Sequence, residues 1–293
     1  MAFLMHIGFD NSSRLRRDVY CFEYKGTRFK LIQNDPRRNS DVLLTILPGS
    51  GIGRSPSEQK ARIDAFSRAA EFLSALGWQN NSAVKVWDSG GCSSGRVSDL
   101  AKANCSIFSF SKIPFSGIVQ GYQLWKIPFV ETPEQRIALA LFREASSANH
   151  DYLSFLFYWQ VLTIGHKNPI GWVNKTFRKK RDNLPLDEYD LKLLHPHTKN
   201  LGEYFNNDCR NAIAHIVRRD GGRQLRLDDL EDDSRMVVSK RVIEEFARFY
   251  IKDALALTKV MYLVWKNDPQ FPVYVSEEEL KDDSHRIAFL DLQ

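Results

Sequence analysis

The chain has 293 residues, a length that suggests about two domains. With 43% hydrophobic and 12% aromatic residues it can bury a sizeable core, which excludes a mainly disordered chain. Its 41 Lys and Arg against 36 Asp and Glu leave a formal charge of +5, a mild basic balance compatible with nucleic acid and with many ordinary enzymes alike.

The four cysteines (Cys21, Cys92, Cys105, Cys209) are widely spaced, without a Cys-x-x-Cys pair or zinc-spaced histidines. Buried free thiols in a reducing compartment are therefore expected. "MAFLMHIGFD" lacks the basic start and apolar run of a signal peptide. The most apolar stretch, "YLSFLFYWQVLTIG", is about 14 residues, too short to cross a bilayer as a helix. A soluble cytoplasmic protein with no membrane partner is expected.

"VYCFEYKG", "TRFKLIQ" and "DVLLTILPG" are rich in β-branched and aromatic residues and bounded by turn formers, so they are predicted strands, with a hairpin turn at Gly26. "SPSEQKARIDAFSRAAEFLSALG" predicts a helix. Ser57 is its expected N-cap, Ile63, Phe66, Ala70 and Leu73 its apolar face, and Gly77 its stop. "AVKVWDS" and "CSIFSFSKI" predict further strands. "LTILPGSGIGRSPSEQ" joins strand to helix and is glycine-rich, but its spacing fits neither the dinucleotide fingerprint nor the Walker loop. A connecting loop is the simpler reading, and a weak anion site at the helix start stays open.

The pattern changes at Thr132. "TPEQRIALALFREASS" opens with Thr132 as cap, Pro133 at the first helical position and Glu134 in the first turn. "NHDYLSFLFYWQVLTIG" predicts a helix apolar enough to be buried on most sides. Shorter helices are expected in "NPIGWVNKTFRKKR" and "LDEYDLKLL", with His195 and His197 in a turn around a proline. "NLGEYFNNDCRNAIAHIVRR" predicts a helix ending near Gly221, and "SKRVIEEFARFYIKDALALTKVMYLVWKN" a long one from about Ser239 to Lys266. "LDDLEDD" lacks the alternation and glycine of a metal loop, so it is expected to be a solvated connection pairing with Arg218, Arg219, Arg223 and Arg226. The fold expected is α+β: a β-rich α/β domain over residues 1–130, an all-α bundle over 131–267 and a tail over 268–293.

Within "DCRNAIAHIVRR", Asn211 and His215 are four residues apart and share a helix face, with Asp208 one turn earlier and Arg210 on the flank. Leu201, Phe205, Ala212, Ile213 and Ile216 supply the expected apolar stripe. A guanidinium offers a planar fork for phosphate, an imidazole exchanges a proton near neutral pH, and an amide orients either. Such a set has the parts needed to cleave RNA without a metal. It is also compatible with plain salt bridging to Asp208 and Glu203.

Arg210-Asn211-Ala212-Ile213-Ala214-His215 resembles the R-x4-6-H motif of HEPN domains, including the polar residue after the arginine. As in that family, the motif lies late in a helical bundle and before a final long helix. The resemblance covers roughly residues 132–266. Within the family, "RNAIAHIVRRDGG" and "LDDLEDD" are most similar to the methylamine utilisation MauJ-like proteins. The resemblance implies a metal-independent endoribonuclease whose site forms where two bundles meet in a homodimer. It assigns proton transfer to His215, phosphate stabilisation to Arg210 and positioning to Asn211, with Asp208 and Glu144 in support. "FRKKRD" taken alone reads as a solvated helix face; if RNA is bound, it would lie along Arg178, Lys179, Lys180, Arg181, Arg218 and Arg219, and no cofactor or metal is expected. Many relatives do not cleave RNA, so a dimeric binding or regulatory module is the alternative. In that case the N-terminal domain senses a ligand or a regulatory partner.

Overall fold

The computed structural model describes residues 2–12, 19–35, 40–47, 55–95, 126–165, 168–214 and 229–265. The chain divides into two compact units, Met1–Ile127 with Val260–Gln293, and Pro128–Lys259. The expected α+β class is what the structure shows: an antiparallel sheet region first, then a helical region.

In the first unit, β1 (Ala2–Asn11), β2 (Val19–Tyr24), β3 (Thr27–Asp35), β4 (Ser40–Leu47), β5 (Val84–Gly95) and β8 (Val264–Trp265) form a sheet in the order β5-β1-β4-β3-β2-β8. Every pairing in it is antiparallel. Met5, Ile7 and Phe9 of β1, Tyr20, Phe22 and Tyr24 of β2, and Phe29 and Leu31 of β3 are buried with the two-residue period of a strand, and β4 buries consecutive residues from Asp41 to Thr45, so the middle of the sheet is buried on both faces. Helix α1 (Pro56–Asn80) covers one face through Ala65, Ala69, Phe72, Leu73 and Leu76. Phe72 lies against Phe22, with ring centroids 4.7 Å apart. Lys25 and Gly26 both take positive φ, 47° and 76°, so the β2–β3 turn has the twist that suits a two-residue hairpin.

Helix α1 departs from expectation at both ends. Its cap is Ser55, not Ser57: the Ser55 hydroxyl accepts from the Glu58 amide while the Glu58 carboxylate accepts from the Ser55 amide, and Pro56 takes the first helical position. Gly77 does not stop it. The helix runs on to Asn80, and Asn81 closes it in the left-handed region at φ 49°. Strand β1 was not among the predicted strands. The expected loop at residues 48–54 and the strand "CSIFSFSKI" lie outside the described residues.

A short pairing of β6 (Lys126–Pro128) with β7 (Val260–Tyr262) marks where the chain leaves the first unit and returns to it. The second unit is helical. Helix α2 (Pro133–Ser147) opens with the expected Thr132 cap, and Gln135 closes a capping box. Gln135 also donates to the Leu255 carbonyl at 2.8 Å, so the cap of α2 anchors the far end of the unit. Helix α3 (Asp151–Thr163) buries Tyr152, Phe155, Tyr158, Trp159, Val161 and Leu162. Next come α4 (Pro169–Lys180), a 3-10 turn (Arg181–Asn183), α5 (Glu188–Leu193) and a second 3-10 segment (His195–Asn200) around the proline.

Helix α8 (Leu230–Asp253) corrects the prediction at each end. It begins before Ser239 because the Asp229 side chain caps it and Glu231, Asp232 and Asp233 fill its first turn, where the helix dipole favours carboxylates. "LDDLEDD" is thus in part a helix start rather than a solvated connection, and Asp232 is buried. The helix stops at Asp253. Ala256 enters the left-handed region at φ 52°, and the chain turns into β7 and β8 where helix was expected to Lys266.

Candidate functional site

The stretch expected as one α-helix is built of three pieces: α6 (Leu201–Tyr204), a π-helical segment (Phe205–Arg210) and α7 (Asn211–Ala214). The Asn211 amide donates to the Asn206 carbonyl, five residues back, which widens the turn and breaks the ordinary i to i−4 ladder. The cause lies in the packing on both sides. Phe205 enters the core between Phe155 at 5.7 Å and Phe246 at 6.3 Å. Cys209 is also fully buried. An α-helix with three inward positions spaced as Leu201, Phe205 and Cys209 would drift across the face, and the wider turn returns them to it.

Arg235 of α8 holds this segment from beneath. Its Nη1 donates to the Asp208 carbonyl at 2.8 Å and its Nη2 to the Asp232 carboxylate at 3.1 Å. Tyr204 Oη and Ser239 Oγ are 3.1 Å apart, and the Cys209 thiol points to the same Ser239 oxygen at 3.6 Å. Burial pushes the Cys209 thiol up to about 11 and raises Tyr204 as well, which favours the neutral form of both. The network is structural: it fixes the backbone from which Arg210 projects. A second anchor joins α6 to α4, where the Asn174 amide oxygen accepts from the Gly202 amide at 2.8 Å and its nitrogen donates to Glu203 at 2.7 Å.

Arg210 is exposed and Asn211 half-buried, and Arg210 Nη1 donates to Asn211 Oδ1 at 2.6 Å. Arg210 also borders a groove of about 350 Å³ between α3, the start of α4 and the π segment. Leu156, Trp159 and Pro169 give it apolar lining, and Gln160, Thr163 and Asn206 line it with polar groups. Thr163 Oγ1 donates to the Gln160 backbone carbonyl. Asn206 donates to Asn207.

His215, Arg218 and Arg219 fall outside the described residues. Asp208 is half-buried and acts here through its carbonyl on Arg235. Glu144 is exposed on α2 and its carboxylate accepts from Arg143 at 2.7 Å. The basic cluster splits. Arg178 and Lys179 are exposed on the last turn of α4. Lys180 pairs with Asp253 at 2.9 Å and lies over the Phe249 ring, and Arg181 lies over Phe177. Arg235 and the groove residues other than Arg210 were not among the expected site residues. Asp232 and Arg235, spaced three apart just inside a capped helix, were the available signal for the first. Nothing in the sequence marked the second.

Among the described residues no cluster of three or more His, Cys, Asp or Glu could hold a metal ion. No helix among them is long and apolar enough to cross a membrane. Residues 138–252, which span most of the helical unit and the whole of the Arg210 region, match the model of the family described as methylamine utilization protein MauJ. No curated protein and no solved structure matches the chain.

Proposed function

We propose that the helical unit is a metal-independent endoribonuclease of the HEPN type, acting in the cytoplasm as a homodimer with the site formed where two copies of the motif meet. His215 exchanges the proton of a ribose 2′-hydroxyl, and the freed oxygen attacks the adjacent phosphorus. The 5′-oxygen leaves and takes up a proton, giving a 2′,3′-cyclic phosphate and a 5′-hydroxyl. Arg210 offsets the charge that builds on the phosphate, Asn211 holds it in place, and Asp208 and Glu144 support the site. Arg178, Lys179, Lys180, Arg181, Arg218 and Arg219 attract the strand. The observation that carries the reading is the position of Arg210: exposed, braced by the neighbouring Asn211 and set at the edge of a groove, on a segment whose other face is locked into the core.

The second reading is a dimeric HEPN binding or regulatory module without catalysis, its first unit sensing a ligand or partner protein. Its support is the engagement of Lys180 and Arg181 with their own bundle, which leaves fewer free cations for a strand. Incubating the protein with mixed RNA in a chelator, beside Arg210→Ala and His215→Ala, separates the two. Cleavage lost in both variants supports the nuclease, and intact RNA with a folded dimeric wild type supports the module.

A further inference from the structure

The groove beside Arg210 is larger than a phosphate contact needs. Its volume of about 350 Å³ sits near the lower end of the range of small-ligand sites, roughly 300–1,000 Å³, which suits one nucleoside better than a dinucleotide or a length of peptide. Leu156, Trp159 and Pro169 give the wall apolar surface, and Gln160, Thr163, Asn206 and Arg210 give it polar groups. Gln160 is exposed, and its side-chain amide has no partner among the described residues. Asn206 commits its amide nitrogen to Asn207, and among the described residues no hydrogen bond to its side-chain oxygen is seen. Arg210 spends one Nη on Asn211 and has further donors to offer.

We propose that this groove holds a single unstacked nucleobase, with the phosphate of the same nucleotide on Arg210. The inference rests on the nuclease reading only for the phosphate at Arg210. A base has flat apolar faces and an edge that mixes donors with acceptors. Amides of Gln and Asn answer such an edge because each carries both kinds of group. A purely apolar ligand would leave Gln160 and Asn206 unpaired, and an acidic peptide would meet amides where it needs cations. A recess between helices also takes a base only after it has left its stack, so the site selects single strands over duplex. The same nucleotide chemistry is offered by a strand and by a free nucleoside monophosphate.

The test uses the full chain and a fluorescein-labelled single strand of 2′-O-methyl RNA, which has no free 2′-hydroxyl and so binds without being cut. Anisotropy titrations compare the wild type with Gln160→Ala and with Thr163→Trp, which fills the groove. Both positions are exposed on α3, and circular dichroism confirms that the variants fold. Each variant is expected to bind the strand at least about tenfold more weakly, a loss of the size that one good interaction gives. Competition by adenosine 5′-monophosphate identifies the free nucleotide as a ligand too, and failure to compete assigns the groove to strands; either result keeps the site. A wild type that does not hold the strand, or folded variants that hold it as tightly, overturns the proposal. Ordinary RNA in parallel keeps the two readings apart. Groove-dependent binding without cleavage retains the base site and removes the nuclease, and cleavage with groove-independent binding does the reverse.

Discussion

Arg235 is walled in by Asp232, Cys209 and the Asp208 carbonyl, whereas Arg210 touches Asn211 and faces the groove. The two arginines should therefore fail in opposite ways. Arg235→Ala strands the buried Asp232 carboxylate and is expected to cost about 3–5 kcal/mol of stability, read as a lower midpoint in urea unfolding. Arg210→Ala is expected to leave that midpoint within about 0.5 kcal/mol while lowering any cleavage rate by about 10²–10³-fold. In the first unit, Asp41 is buried and one of its carboxylate oxygens has no hydrogen-bond partner. Desolvation, opposed by a hydrogen bond from Asn11 and reinforced by Asp10, pushes its carboxyl up to about 7. Between the ordinary carboxylate range and that value the folded state holds a proton that the unfolded chain has released. Stability is then complete at low pH and falls as pH rises, by up to about 1.4 kcal/mol per unit over that window. Asp41→Asn should flatten the slope, measured as unfolding free energy of the first unit between pH 4.5 and about 7.

At the level of elements, those with local signals were legible, and those set by distant packing or by competing signals were not. The strands of "VYCFEYKG" and "TRFKLIQ" and the capped start of α2 were plain because alternation and cap chemistry are local signals. Strand β1 carries the same alternation in Met5, Ile7 and Phe9. Helix α8 was misplaced because apolar periodicity inside the helix outweighed the acidic first turn that starts it. The π segment had no local sign, since it answers to where Phe155, Phe246 and Ser239 stand in other helices. The site was legible to the same extent: Arg210 and Asn211 could be named from the motif, and the groove depends on three elements meeting. Gly202 tests that meeting. A Cβ there would overlap the Ile170 carbonyl oxygen, so Gly202→Ala should force α6 from α4 and cost about 1–3 kcal/mol in thermal or urea unfolding.

For the molecule as a whole, the proposed catalytic site needs two copies of the helical unit. Light scattering of the purified chain is expected to give twice the protomer mass. A strict monomer across the concentrations used for assay would leave the composite site without its second half. The match to the MauJ family model lies wholly within that unit, so the proposed chemistry is argued for it alone. The most direct measurement is cleavage of mixed RNA in excess chelator by the wild type, Arg210→Ala and His215→Ala. The account predicts 2′,3′-cyclic phosphate ends from the wild type and their loss in both variants. Intact RNA with a folded dimeric wild type, or cleavage that persists in either variant, would contradict it.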